Sequence, residues 1–398
     1  MGIQRALIGI LLSYPIICFA QTPLASRVST SRPGQTLSST QTSARNQETA
    51  ALFAPVFYQA LGDKPRFDYI TNFDFDGDWR GDNNWDNSEN IRFPLKAYVY
   101  YSVSETSSHI FIHYAVFHPR DYKGGDLKGA ILSELMREGI RRGGKYDPTG
   151  LADEATLAHE NDLEGCLLVV AKNGSELKQA RVVFVETFRH NGFSKYVSGD
   201  AAAPGFETIR IDGQSVLLYV EPKGHGIEAY NGGEKQTAKK KFIIYTFGGK
   251  AEQPKEGHEG RFGYDLVPIQ STLWSRARTR TSNHRNDGIN ATYGAAHEYG
   301  KLTVNMIQPN GKAAGMRVDV GKAGSAFRGK VGGANMAKPP WAWTEGNSSR
   351  ESLGVWFFDP AQVVKRDFKL DESFPTTYVR LPFWAAGAVA LPKKLAAD

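Results

Sequence analysis

The segment from residue 158 to residue 165 carries the side chains best suited to chemistry in this chain. Within it, His159 is followed by Asp162 and Glu164, just before the apolar run over residues 166–171. If a strand begins near Asp162, the two carboxylates point to the same face, because strand side chains alternate with a period of two. Two carboxylates on one face repel each other unless a cation or a proton lies between them. The spacing therefore predicts a divalent-cation site.

The ligand set of this site would be one histidine and two carboxylates. Such a set suits Mg²⁺, Mn²⁺, Zn²⁺ or, with water and backbone carbonyls, Ca²⁺; we expect Ca²⁺ or Mg²⁺ first. Asp153 is a further oxygen donor from the preceding segment. In a catalytic version of the site, Glu160, Glu164 or His225 would act as the base toward a metal-activated water. The alternatives are a solvated acidic turn and, for His225, an ordinary loop histidine between two glycines.

A second acidic cluster surrounds the glycine turn at Gly77. Its carboxylates lie at alternate positions, as in the start of a calcium loop: Asp74, Asp76, Asp78 and Asp82. The EF-hand pattern does not fit, because Trp79 occupies the position of the invariant glycine. Two interpretations remain, a calcium loop of another type and a connection rich in Asx-turns, in which Asp and Asn side chains bond nearby backbone amides.

The elements that must position these residues are mostly strands. Alternating and β-branched runs predict strands over residues 96–103, 109–117, 167–171, 181–187, 215–220 and 241–247. Apolar residues at helical spacing predict one helix over about residues 127–140, and a short one covers 153–158. Many short strands and few helices predict a mainly-β fold, a β-sandwich of jelly-roll type with one or two peripheral helices and long loops.

Three zones follow one another along the chain. Residues 1–20 read as a cleavable signal peptide, with Arg5 ahead of an apolar run and a small residue, Ala20, before the cleavage point. A lipid anchor on Cys18 is the alternative, but Ile17 stands where such a signal needs a small residue. Residues 21–48 are rich in Ser, Thr and Gln and predict a flexible linker. Residues 49–398 then form one β-sandwich domain, loop-rich from 236 onward. The predicted location is secreted or periplasmic.

Composition excludes several classes of protein. Cleavage would leave Cys166 as the one cysteine, so no internal disulfide can form, and we expect an inert buried thiol. The net charge of +6 over 398 residues is modest, and no nucleic-acid motif accompanies it, so nucleic acid is not an expected partner. The chain carries neither a dinucleotide-binding loop nor a nucleophile elbow.

Two histidines of the aromatic run over residues 109–118 are given structural roles. His113 lies within an apolar strand pattern and is predicted to be a hydrogen-bonded core histidine. His118, Arg120 and Asp121 flank Pro119, a residue that favours turns. We interpret them as a turn held by an Arg–Asp pair.

Residues 158–164 resemble the heptapeptide Gly-His-Arg-His-Asp-Trp-Glu of necrosis- and ethylene-inducing-like proteins, and the related His-x-x-Asp-x-Glu segment of vacuolar-protein-sorting-type proteins. In that register His159, Asp162 and Glu164 fall on the family's metal-site positions. Residues 113–119 and 220–226 resemble flanking segments, so the resemblance covers roughly residues 50–235. It implies a β-sandwich, a divalent cation and a polar pocket. Asn161 replaces the second family histidine, a departure from the toxin pattern.

Three functions are consistent with these patterns. The first is an exported protein that binds a divalent cation and a polar ligand such as a glycan or a lipid headgroup, with membrane activity as the family-based extension. The second is a metal-dependent hydrolase. The third is a structural protein whose Ca²⁺ sites stabilise loops.

Overall fold

The computed structural model describes residues 39–79, 84–121, 159–189, 192–199, 205–233, 241–255, 258–275, 297–298, 301–307, 313–319, 322–323, 339–340, 343 and 355–380. The predicted signal peptide, the linker as far as residue 38 and the predicted helices over 127–140 and 153–158 lie outside these residues. Among the described helices, none combines the length and the apolar character needed to cross a bilayer.

Strands dominate the described chain, which confirms the predicted mainly-β fold with peripheral helices. The strands are β1 (Val56–Leu61), β2 (Tyr98–Thr106), β3 (His109–Asp121), β4 (His159–Ala171), β5 (Arg181–Arg189), β6 (Gly192–Val197), β7 (Glu207–Thr208), β8 (Ile211–Asp212), β9 (Ser215–Val220), β10 (Ile227–Ala229), β11 (Lys241–Phe247), β12 (Gly260–Pro268), β13 (His297–Glu298), β14 (Lys301–Ile307), β15 (Ala313–Asp319), β16 (Lys322–Ala323) and β17 (Tyr378–Arg380). The helices are α1 (Ser39–Leu52), α2 (Asn84–Asn87), α3 (Val355–Phe358) and α4 (Pro360–Asp367), with 3₁₀ turns at Pro65–Asp68 and Leu177–Gln179 and a π-turn at Gln270–Trp274.

Most strands belong to one large curled sheet. Its order is β10-β9-β1-β11-β12-β2-β3-β4-β5-β6-β7, with antiparallel and parallel neighbours mixed. The sheet curls so that β10 contacts β4 and β5. This contact brings the turn between β9 and β10 against the central strands, which matters for the site described below.

The central strands β3 and β4 are longer than the sequence pattern predicted. Apolar side chains fill both of their faces, as is usual for strands covered on both sides. β3 continues through Pro119 to Asp121. A proline fits there because β2 pairs with β3 only as far as Val116. Beyond that point β3 has β4 as its one ladder partner in the described sheet, and a residue without an N–H is tolerated there. The predicted turn at residues 118–121 is therefore wrong.

α1 occupies part of the segment for which composition predicted a flexible linker. The linker was expected to reach residue 48, whereas the helix begins at Ser39. The helix is buried at Ala50, as is Phe53 just after its end, and the hydroxyl of Tyr114 donates to the carbonyl of Ala50 at 2.7 Å. The helix is therefore held by contacts with β3, which lies far away in sequence, and its own polar composition gives no sign of them.

α3 and α4 cover the sheet close to β3, β5 and β6. His113 lies in the core beneath them, as predicted, and its Nε2 donates to the carbonyl of Trp356 at 3.0 Å. Cys166 is a free, fully buried thiol in β4, as expected, and burial raises its pKa.

Candidate metal centre

The register of β3 and β4 sets residues of the predicted site opposite residues of the neighbouring strand. These strands are antiparallel neighbours, and Asp121 lies opposite His159 while His118 lies opposite Asp162. Glu164 follows two residues later in β4, which places it on the same face as Asp162. The carboxylates of Asp121, Asp162 and Glu164 are all buried, with residue exposures of 5%, 5% and 3%. This strand pair thus carries three buried carboxylates.

The backbone of β4 is irregular at the centre of this group. Asn161 has a φ of 65°, in the left-handed region that asparagine tolerates better than most residues. Its Oδ1 accepts a hydrogen bond of 2.6 Å from Nδ2 of Asn84 in α2. A left-handed residue interrupts the extended geometry of a strand, much as a bulge does. The pairing with β3 keeps one register on both sides of Asn161.

His225 enters the site from the turn between β9 and β10. Its Nδ1 donates to Oδ2 of Asp162 at 2.9 Å, and its Nε2 lies 3.3 Å from Oδ1 of Asp68. All three side chains are buried. His225 therefore bridges two carboxylates from two other parts of the chain.

A second imidazole, that of His118, lies flat against the ring of His225. The ring centroids are 3.7 Å apart and the planes differ by 5°. Nε2 of His118 donates to Oε1 of Gln59 at 3.0 Å, because the amide nitrogen of Gln59 already donates to the carbonyl of Ala60. Among the described residues, ligand atoms of His118, Asp162 and His225 form a group within 4.8 Å of one another.

Burial and charge act differently on the two imidazoles. Burial lowers the pKa of His225, but the hydrogen bond with Asp162 and the proximity of Asp68 outweigh it and raise the pKa to about 9. Burial, followed by the charge of His225, holds the pKa of His118 well below 6.5. The stack therefore pairs a charged imidazole with a neutral one at neutral pH.

The turn that carries His225 depends on a close approach of the backbone to β5. A Cβ atom added to Gly226 would lie 2.3 Å from Cγ of Arg189. Arg189 itself pairs with Glu221 and Glu228 on either side of the turn. The close approach of Arg189 thus favours a glycine directly after His225.

The acidic loop around Gly77 has the geometry of the Asx-turn alternative. Oδ1 of Asp76 accepts the amide of Asp78 at 3.2 Å, and its Oδ2 accepts Nδ2 of Asn87 at 2.6 Å. Asp74 accepts Nδ2 of Asn72 at 2.7 Å. Asp82 lies outside the described residues. The calcium loop at these four positions stays a prediction.

Several predicted site residues are described only in part. The backbone of His159 and Glu160 forms the start of β4, but their side chains lie outside the described part, as does the whole of Asp153. Sequence patterns did not place Asp68, His118 or Asp121 at the site. For His118 and Asp121 the signal was hidden by Pro119, which indicated a turn. For Asp68 nothing local distinguished its carboxylate from that of any other loop aspartate.

No family model matches the chain, and no curated protein matches it. Similar solved structures include one described as a toxin fold for microbial attack and plant defense (12% identity, TM-score 0.30), which covers 62% of this chain and 90% of its own. NLPPya in complex with mannosamine matches with 13% identity and a TM-score of 0.31 over 63% of this chain and 91% of its own.

Necrosis and Ethylene inducing Protein 2 from the causal agent of cocoa's Witches Broom disease matches with 17% identity and a TM-score of 0.20, over 34% of this chain and 45% of its own. The neighbours therefore include members of the necrosis- and ethylene-inducing group that residues 158–164 resemble. The vacuolar-protein-sorting-type part of that resemblance stays a prediction.

Proposed function

We propose that this protein is exported and binds a divalent cation between β3 and β4, and that the bound cation presents a contact for a polar ligand. The cation ligands are Asp121, His159, Asp162 and Glu164. The observation that carries the proposal is the β3–β4 register, which places the buried carboxylates of Asp162 and Glu164 on one face of β4 and sets the buried Asp121 opposite His159. Carboxylate oxygens are the donors that hard divalent cations take in proteins.

The donor set favours Ca²⁺ or Mg²⁺ over softer metals. Three carboxylates supply oxygen ligands, and thiolate is absent, since Cys166 is buried in the apolar part of β4. A cation of this kind completes its coordination with oxygen atoms from outside the protein. The hydroxyl groups of a glycan or the oxygen atoms of a lipid headgroup are ligands of that chemistry.

The arrangement of His225 argues against this histidine as the base in the hydrolase alternative. Both of its ring nitrogens face carboxylates, those of Asp162 and Asp68. An imidazole held as a cation between two carboxylates has no lone pair with which to take a proton from water. His225 therefore serves the site as a hydrogen-bond donor to Asp162.

Metal analysis of the purified mature protein tests the cation site. We expect about one Ca²⁺ or Mg²⁺ per chain in the wild type, and loss of that metal in Asp162→Asn and in Asp121→Asn. Asp359→Asn is the matched control, because Asp359 is equally buried but lies at the start of α4. Equal metal content in all four proteins would refute the proposal.

A second measurement separates ligand binding from a purely structural metal. Binding of a glycan is tested by titration with glucosamine and mannosamine; mannosamine is the sugar named with one of the compared structures. Binding of a lipid headgroup is tested by flotation with anionic vesicles. Binding in Ca²⁺ that is abolished by chelation supports the proposal. Metal binding that raises the melting temperature without any ligand binding would favour the structural alternative.

A further inference from the structure

We propose that Asp68 is a positioning residue of the cation site, which acts through His225 to fix the carboxylate of Asp162. The inference rests on the proposed function, since it concerns how the same site holds its cation. It adds a residue that comes from the 3₁₀ turn Pro65–Asp68, outside the strand pair that supplies the ligands.

The relay has two contacts, both made by the ring of His225. Nδ1 donates to Oδ2 of Asp162 at 2.9 Å, and Nε2 lies 3.3 Å from Oδ1 of Asp68. Because the two nitrogens are on opposite sides of the ring, a rotation that improves one contact disturbs the other. The direction of the N–H that Asp162 receives therefore depends on where Asp68 lies.

Asp68 also holds the backbone on which His225 is mounted. Its Oδ2 accepts the amide of Gly62 at 2.7 Å, and its Oδ1 accepts the amide of Lys223 at 2.7 Å. Lys223 and His225 both have positive φ, 73° and 52°, a conformation that residues other than glycine keep only when their surroundings hold them. One buried carboxylate thus fixes both the turn and the ring that the turn carries.

The remaining freedom of the His225 ring is removed by stacking. His118 lies parallel to it at 3.7 Å, and Gln59 in turn fixes the ring of His118. The stack sets the plane of the His225 ring, while Asp68 and Asp162 set its rotation within that plane. Loss of Asp68 therefore leaves the plane in place and frees the rotation that orients Asp162.

Groups that hydrogen-bond a metal ligand typically change metal affinity by about 10–100-fold when they are removed. We expect Asp68→Asn to weaken Ca²⁺ or Mg²⁺ binding within that range. The amide cannot serve as an acceptor at both oxygen positions, so it also disturbs the ion pair with His225.

The test is a double-mutant cycle on the affinity of the full mature chain for Ca²⁺ and Mg²⁺, measured by titration calorimetry. If Asp68 acts through His225, Asp68→Asn and His225→Gln each weaken binding, and the double variant binds no more weakly than His225→Gln alone. A merely structural role for Asp68 gives additive losses instead, and additivity overturns the inference.

The matched control is Asp63→Asn. It removes the ion pair of 2.7 Å between Asp63 and Nζ of Lys223, in the same turn, without touching the relay, so the affinity for the cation should stay at the wild-type value. Asp68→Glu keeps the buried charge and replaces Asp68→Asn in the cycle if the asparagine variant does not fold. Wild-type protein that binds neither cation refutes the proposed function itself. Binding that the Asp68 variants leave unchanged refutes this inference alone.

Discussion

The indole N–H of Trp356 in α3 donates to Oε2 of Glu186 in β5 across 2.5 Å, inside the core. Glu186 is fully buried, and burial followed by the nearby Asp367 raises the pKa of its carboxyl above the usual 4.5. The ring of His113 donates through Nε2 to the backbone carbonyl of the same tryptophan. One aromatic residue thus connects the C-terminal helices to β3 and β5, and this connection gives the predictions on Trp356 and on His113.

Trp356→Phe removes the donor and keeps most of the ring. Because the change leaves a buried carboxylate oxygen without that bond, we expect the free energy of unfolding to fall by about 1–3 kcal/mol. Urea unfolding followed by fluorescence of the remaining tryptophans measures it. Adding Glu186→Leu to the variant should recover part of the loss, since both polar partners are then gone. A single variant within about 0.5 kcal/mol of the wild type would show that this bond contributes little.

Asp359 makes the free energy of unfolding decrease as the pH rises. Burial raises the pKa of its carboxyl to about 7, although the hydroxyl of Tyr378 donates to it at 2.8 Å. Between about pH 4 and pH 7 the folded chain therefore binds more protons at this residue than the unfolded chain, and the free energy of unfolding falls as the pH rises. Asp359→Asn should remove about 2–4 kcal/mol of that dependence. Parallel pH profiles for wild type and variant would contradict this.

His113 acts in the opposite direction. Burial lowers the pKa of its imidazole to about 4, against the smaller effect of the bond to the carbonyl of Trp356. From about pH 6.5 down to pH 4 the unfolded chain binds the extra proton, so this residue makes the protein less stable as the pH falls. His113→Gln should flatten the profile in that window by about 2–3 kcal/mol. The difference between the free energies of unfolding of wild type and variant, measured against pH, isolates the effect. A contribution of His113 that stabilises the protein more as the pH falls would disprove it.

Gly165 lies between Glu164 and Cys166, where the backbone of β4 approaches two rigid neighbours. A Cβ atom there would lie 2.3 Å from the carbonyl oxygen of Tyr114 and 2.5 Å from the ring of Trp343. We expect Gly165→Ala to destabilise the fold by about 3 kcal/mol, because neither neighbour can move aside easily. Gly199→Ala is the control, since an added Cβ has no atom within 4 Å at that position. Thermal melts compare the two, and equal melting temperatures would contradict the packing argument.

Many of the strands can be predicted from the sequence because the alternation of side chains along a strand is a local property. The strands predicted over residues 215–220 and 241–247 match β9 and β11 at both ends, and those beginning at residues 109 and 181 begin there in the structure. β12 was missed, since its alternation is broken by Gly263 and by exposed polar positions. The helical residues of α1 were taken for linker because their composition is polar and their burial is tertiary.

The sequence by itself determined the segment that holds Asp162 and Glu164 and the carboxylates that this segment carries. The tertiary structure alone decided which other residues meet them. Asp68, Asp162 and His225 come from three distant segments, and they meet because the sheet curls and brings the β9–β10 turn against β4. Local patterns follow from backbone sterics over a few residues, whereas this meeting depends on strand pairing and long-range packing, which no short stretch of sequence encodes.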